Sequence, residues 1–176
     1  MTDYAFLGLG TNLGDREEFL HKALDLIGRS AGRIDSLSDI YETEPWGFQS
    51  ENNFLNMVIR IRTKLGPSAL LQRLQSIEDQ LGRDRDRDSK SYISRTIDID
   101  ILLLGNKVIN KADLIIPHPM IGDRKFVLVP LCDIAPNLIH PVLNKTFAEL
   151  LEECKDEREV KRYSPLSFSP GGGKKT

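Results

Sequence analysis

The chain has few of the residues that mark secreted scaffolds, membrane proteins or bulk nucleic-acid binders. Its 176 residues include two cysteines, Cys132 and Cys154. They lack metal-ligand spacing and are too few for a disulfide framework, so free thiols in a reducing cytoplasm are expected. No run approaches the ~18 apolar residues of a membrane span. The short apolar stretch before Thr11-Asn12 follows Asp3 and is no secretory leader. With 24 basic and 26 acidic side chains the formal net charge is −2, which provides no overall pull toward nucleic acid or anionic lipid. Two nucleotide-binding signatures are also missing. Gly8-Leu9-Gly10-Thr11-Asn12-Leu13-Gly14 has the spacing G-x-G-x-x-x-G, wrong for a dinucleotide fingerprint, and reads as a tight strand-to-helix turn. Gly171-Gly172-Gly173-Lys174-Lys175-Thr176 has neither the spacing of a phosphate loop nor a helix after it. Any nucleotide bound here is bound without a P-loop.

What is present reads as one soluble domain over residues 1–163, expected to be monomeric, followed by a tail at 164–176 rich in serine, proline and glycine. No internal repeat is seen. Tyr4 to Gly10 reads as a buried strand, and Asp15 to Ile27 has helical spacing through Phe19, Ala23, Leu26 and Ile27. Asp35 to Tyr41 is a weaker strand, and Glu44 to Asn53 a loop. Leu55, Met57, Ile59 and Ile61 alternate with polar residues, making Phe54 to Thr63 a strand. Gly66-Pro67-Ser68 starts a helix striped by Leu70, Leu71, Leu74, Ile77 and Leu81 and capped at Gly82. With a further strand ending at Leu104, the order is strand, helix, strand, strand, helix, strand. That order predicts an α+β fold: a ferredoxin-like split βαβ antiparallel sheet with helices packed on one face. A hairpin over Lys107 to Ile116 and helices over Asp123 to Ile134 and Thr146 to Cys154 would form a C-terminal helical extension.

The last of those strands carries the strongest chemical signal. In Arg95-Thr96-Ile97-Asp98-Ile99-Asp100-Ile101-Leu102-Leu103-Leu104 the isoleucines share one face and Asp98 and Asp100 the other. Their Cα atoms should lie roughly 6.5–7 Å apart, from which both carboxylates can converge on a divalent cation. Like charges this close repel, which favours a cation between them. An amphipathic edge strand with a solvated acidic face gives the same alternation. Against that plain explanation stands the preceding segment, Gly82 to Arg95, dense in arginine and aspartate, since cations beside a metal-binding pair suit a polyphosphate.

Taken in order, Thr43-x-Pro45, Phe54-Leu55-Asn56, Ile77-Glu78 to Gly82-Arg83-x-Arg85, Arg95 to Leu102, and Pro117-His118 to Arg124-x-Phe126 resemble the 6-hydroxymethyl-7,8-dihydropterin pyrophosphokinase family of the folate pathway. The resemblance runs from about Tyr4 to Leu151. It implies ATP as co-substrate, two Mg²⁺ ions, and transfer of the β,γ-diphosphate to the pterin hydroxymethyl group with release of AMP. It implies further that Asp98 and Asp100 hold both metals, and that Arg83 and Arg95 act on the transferring phosphates. The ATP side would comprise Gln75, Glu78, Arg85, Tyr92, Ile101, His118 and Arg124, with Arg87 the alternative to Arg85 because this segment is slightly longer than usual. For the pterin it implies Phe54 and Phe126 as stacking rings, Asn56 and Thr43 as hydrogen-bonding partners, and Pro45 and Trp46 at the pocket rim. Where the family commonly has W-G-P-R, this chain has Tyr92-Ile93-Ser94-Arg95, and Pro119 replaces a frequent aromatic. The segment before the acid strand is expected to close over ATP as a lid.

Three other readings stay open at this stage. One is a related two-metal transferase acting on another flat heterocyclic alcohol, and another a non-catalytic relative that binds nucleotide or pterin without turnover. The third is a ferredoxin-like RNA-binding module, which would want aromatics in a basic, glycine-rich strand motif. Phe54 to Thr63 has Arg60 and Arg62 but no such motif.

Overall fold

Alternation in Asp3–Thr11 sends Ala5, Leu7 and Leu9 to one side and Phe6, Gly8 and Gly10 to the other, so this strand (β1) has two faces to cover. The structure is a computed structural model and describes residues 2–45, 52–83 and 96–163. β1 pairs antiparallel with Phe54–Thr63 (β4) on one side and with Asp98–Leu104 (β5) on the other. Arg33–Leu37 (β2) and Tyr41–Thr43 (β3) lie along the far edge of β4, and Lys161–Arg162 (β8) pairs with β3. A separate hairpin joins Ile109–Lys111 (β6) to Leu114–Ile116 (β7).

The first face is covered by Arg16–Ser30 (α1) and Pro67–Gln80 (α2). Leu20, Ala23, Leu24 and Ile27 of α1 and Leu70, Leu74 and Ile77 of α2 are buried against Leu7, Leu9, Ile59, Ile97, Ile99 and Ile101. Burying each such aliphatic side chain contributes about 1.5–3 kcal/mol, so this layer holds the sheet together. Among the described residues the second face is covered only in part. Lys125–Ile134 (α3) and Phe147–Glu153 (α4) bring Leu128, Leu131, Phe147 and Leu150 against Phe6, Val58, Leu102 and Leu103. A bulge makes this possible: Phe6 pairs with Leu103 and Leu7 with Ile101, leaving Leu102 as an extra residue, so Leu102 and Leu103 both serve the second core. The expected C-terminal extension thus folds back under the sheet face opposite α1 and α2.

Local chemistry explains the boundaries. Asp15 caps α1 by accepting the Glu18 N–H at 3.0 Å, and Thr146 and Glu149 cap α4 reciprocally. The strand expected over Asp35 to Tyr41 is divided into β2 and β3. Between them Ser38 pairs with Val58 twice, its N–H donating to the Val58 carbonyl and its hydroxyl accepting the Val58 N–H, both at 2.9 Å. A hydroxyl that bonds the neighbouring backbone offers an alternative to the regular ladder. Gly8 and Gly10 sit inside β1, as the strand expected over Tyr4 to Gly10 has them, and the turn expected over Gly8 to Gly14 is confined to the residues after Thr11, with Gly14 at φ +65°.

Arg60 and Arg62 are committed to structure. Both reach Asp35, at 2.5 and 3.4 Å, and each guanidinium lies 5.1 Å from the Tyr4 ring. Their charge is therefore locally compensated, which counts against an RNA-facing basic strand. No described helix is long and apolar enough to cross a membrane. The expected tail at 164–176 and the expected lid, with Arg85, Arg87, Tyr92 and Arg95, lie outside the described residues, as does Trp46.

Candidate active site

The half of the second face left by α3 and α4 carries most of the residues singled out from sequence. Register places them in adjacent columns. Gly10 of β1 pairs with Asn56 of β4 on one side and with Asp98 of β5 on the other, and Gly8 pairs with Asp100. With Phe54 two residues before Asn56, the aromatic and amide side chains stand on one strand and the acids two strands away, about 9.5 Å apart at the usual strand spacing. Between them runs bare backbone. A Cβ at Gly10 would lie 3.2 Å from Asn56 Oδ1 and 3.9 Å from Phe54 Cδ1, and one at Gly8 would meet the Leu102 side chain at 3.5 Å. The glycines keep the channel from acids to amide clear. Sequence reasoning missed this role, because glycine in a strand signals a turn or a close backbone approach and alternation alone cannot choose.

On β4, Asn56 is 6% exposed and its Nδ2 donates to Thr43 Oγ1 at 2.8 Å. The bond across β3 and β4 fixes the amide before any ligand arrives. Phe54 is half-buried beside it, and Pro45 closes the described part of the loop that follows β3. Arg16 anchors that loop's two ends: its Nη1 donates to Glu42 Oε2 and to the Asn53 carbonyl, each at 2.9 Å. Tyr41 pins β3 from beneath by donating to Asp133 of α3 at 2.9 Å. Burial first, and then the Asp133 hydrogen bond, push the Tyr41 phenol up to about 12.

On the other side, α2 ends where the acid strand begins. Gly82, at φ +85°, reverses the chain so that the Arg83 N–H reaches the Glu78 carbonyl at 3.1 Å. This turn brings the Arg83 side chain back over its own helix. Arg83 Nη1 donates to Glu78 Oε1 and to Asp98 Oδ1, both at 2.6 Å. Glu78 is 2% exposed, and the same Oε1 accepts the Ile99 N–H at 2.7 Å. One buried carboxylate therefore satisfies an N–H on the outer edge of β5 and compensates the arginine that holds the first acid. Gln75 stands one turn earlier on α2, half-buried.

Further along the same edge the His118 N–H donates to the Leu102 carbonyl at 2.9 Å, which draws the Pro117-His118 turn to the acid strand. Burial, and then the Arg124 charge, push the His118 imidazole below its ordinary value, while Asp98 pulls it the other way. The ring is neutral near pH 7. Its Nδ1 accepts the Met120 N–H at 3.2 Å, so the proton resides on Nε2 as a donor. Beside it runs a groove of about 1290 Å³, lined by Ile116, Asp123, Val142, Asp156 and Arg158 among others. Arg124 and Phe126 open α3 at its N-cap and second helical position, with the guanidinium 5.8 Å from the ring centroid.

Ile101 is 5% exposed and its side chain faces the α1 and α2 core, because it shares the isoleucine face of β5, so of this candidate it is the backbone that could meet a ligand. Among the described residues no three His, Cys, Asp or Glu side chains gather as a metal cluster. A carboxylate pair is nevertheless the protein set that Mg²⁺ commonly takes when substrate phosphates and water complete its octahedron. Asp98 and Asp100 fit that description.

Known proteins resemble this chain in sequence and in fold. The family model for 7,8-dihydro-6-hydroxymethylpterin-pyrophosphokinase matches residues 6–136. The chain is 38% identical over 158 residues to a 2-amino-4-hydroxy-6-hydroxymethyldihydropteridine pyrophosphokinase of Aquifex aeolicus, covering 90% of this chain and 94% of that one. It is 45% identical over 137 residues to the enzyme of that name from Porphyromonas gingivalis, covering 77% and 92%. Among solved structures it resembles wild-type Plasmodium falciparum HPPK-DHPS, crystallised with pterin and p-hydroxybenzoate, at a TM-score of 0.70 and 20% identity. That likeness speaks for the fold, and the chain spans under half of that longer protein: 87% of this chain aligns to 42% of it. By family match and by relatives aligned over nearly their whole length, the chain belongs to the 7,8-dihydro-6-hydroxymethylpterin pyrophosphokinase family.

Proposed function

We propose that the half-open sheet face is the surface on which the diphosphate of ATP is transferred to the hydroxymethyl group of 6-hydroxymethyl-7,8-dihydropterin, a step toward folate. The single observation that carries this is the juxtaposition across β1 among the described residues: an acid pair on β5, an aromatic and a fixed amide on β4, and Gly8 and Gly10 between them. The strand order β5-β1-β4-β2, all antiparallel, with α1 and α2 on one face, supports a ferredoxin-like split βαβ fold as its frame.

In the reaction the pterin hydroxyl oxygen bonds to the β-phosphorus as the bond to the α,β-bridging oxygen breaks. The electron pair leaves with AMP and the hydroxyl proton is released. Asp98 and Asp100 would hold two Mg²⁺ ions, whose chemistry when bound is to neutralise the triphosphate and orient it for in-line attack. Asn56, fixed by Thr43, orients the pterin edge, and Phe54 and Phe126 stack its rings. Positioning of this kind accounts for much of the rate in phosphoryl transfer. Among the described residues Arg83 donates to both Glu78 and Asp98: Glu78 is a standing counter-ion, so the guanidinium can release Asp98 and turn to phosphate oxygens while keeping that charge compensation. The neutral His118 offers Nε2–H to the nucleotide. Gln75 and Arg124 stand on the ATP side as well, with Arg85, Tyr92 and Arg95 by resemblance.

The substrate assignment is tested with 6-methyl-7,8-dihydropterin, which keeps the ring and lacks the hydroxyl. The expected result is competitive inhibition against the hydroxymethyl compound with no consumption of ATP. Equal ATP consumption with either pterin, or with none, would overturn the assignment.

A further inference from the structure

The segment after α4 reaches into the site, beyond residue 136 where the family match ends. Asp156, its side chain 7% exposed, accepts the Lys125 N–H of the first turn of α3 at 3.1 Å. The same carboxylate grips Arg158 by its fork, at 2.7 Å from Nε and 2.6 Å from Nη2, and accepts the Arg158 N–H at 3.2 Å. So held, the Arg158 guanidinium lies 5.9 Å from the centroid of the Phe126 ring, within cation–π range. A long flexible cation with an immobilising bidentate partner loses little further freedom when it contacts an aromatic face. Burial would raise the Asp156 carboxyl, but the Arg158 and Lys125 hydrogen bonds hold it below the usual carboxylate range, so the clamp is ionised at neutral pH.

We infer that Asp156 and Arg158 are positioning residues for the pterin side of the site: Asp156 ties the C-terminal segment to the start of α3, and Arg158 sets the attitude of Phe126. This rests on the reading of Phe126 as a ring that faces the pterin. Phe126 is only half-buried on the second position of a helix whose own side-chain capping is absent. Arg124 also stands 5.8 Å from the ring centroid, but it sits on the same helix start, whereas Arg158 ties the ring to the C-terminal segment. Without the clamp the ring gains freedom that stacking would have to remove, and that loss falls on pterin affinity more than on the chemical step.

The test is a double-mutant cycle in the full chain with Arg158→Met, Phe126→Ala and the pair, measuring KM for the hydroxymethyl dihydropterin, KM for ATP, kcat and the melting temperature. Arg158→Met should raise the pterin KM about fivefold, the scale of a partly desolvated cation–π contact, with ATP KM and kcat within about twofold. Phe126→Ala should raise it further, and adding Arg158→Met to Phe126→Ala should change nothing more, since Arg158 acts through that ring. Arg158→Lys, which keeps the cation and loses the fork, should restore part of the affinity. If Phe126→Ala weakens pterin and Arg158→Met does not, the positioning role is wrong while the pterin assignment of Phe126 stands. If neither weakens pterin, the assignment of Phe126 fails and the inference with it. Equal rises in both KM values, additive effects in the cycle, or a fall in melting temperature that accounts for the change would also overturn it.

Discussion

Asp98→Asn and Asp100→Asn should each lower kcat about a thousandfold or more while the protein stays folded, with the hydroxymethyl dihydropterin still bound. The carboxylates stand side by side opposite the glycine column, and the Arg83 that donates to Asp98 at 2.6 Å is also held by Glu78, so neutralising Asp98 leaves that arginine its buried counter-ion. Losing one relieves like-charge repulsion within the pair, which offsets part of what Asp98 loses toward Arg83, and under the proposed function removes half of the carboxylate charge that would hold Mg²⁺. Circular dichroism and a melting curve beside steady-state kinetics check this. Near-normal turnover in both variants would show that the pair is only a solvated edge.

Glu78→Gln should behave differently, losing activity and stability together. The side chain is buried, and its one oxygen serves both the Ile99 N–H and Arg83. The amide can keep the first bond but no longer compensates the guanidinium, which is then left leaning on Asp98. Breaking one side of a buried, hydrogen-bonded ion pair costs about 2–3 kcal/mol with an isosteric replacement. For a chain of this size that corresponds to a melting temperature about 5–10 °C lower. On the proposed function the rate should fall about ten- to a hundredfold, because an arginine that leans on Asp98 is less available to phosphate and competes for the carboxylate that would hold Mg²⁺. A melting temperature equal to that of the parent would show that Glu78 does not hold the buried network described here.

The contrast between those variants mirrors what was legible in the sequence. Asp98 and Asp100 were readable because strand alternation is local: two residues apart means the same face, whatever the rest of the chain does. The end of α2 at Gly82 was readable for the same reason, since a left-handed cap after a helical stripe needs no tertiary information. Asn56 could be assigned to the face away from the α1 and α2 core by counting from Leu55 and Met57. What depends on distant partners stayed hidden. Glu78 sat at the edge of an apolar stripe, and only its bond to Ile99, twenty-one residues on, shows why a carboxylate is buried there. Ser38 divides one expected strand into two through Val58, and the polar pair Lys161–Arg162 becomes a strand only because β3 offers an edge. Gly8 and Gly10 were placed in the expected strand and also in the expected turn, and local preference could not show why glycine is needed there: a Cβ at Gly10 would lie 3.2 Å from Asn56 on the neighbouring strand.

Pterin binding and metal binding can each be mimicked by other sites, whereas the position of bond cleavage in ATP cannot. With ATP, Mg²⁺ and 6-hydroxymethyl-7,8-dihydropterin, a time course resolving adenine nucleotides should show AMP appearing in step with the pterin diphosphate, one for one, and no ADP. ADP as the product, or AMP released without a matching pterin diphosphate, would contradict the proposed transfer across the β1 glycines.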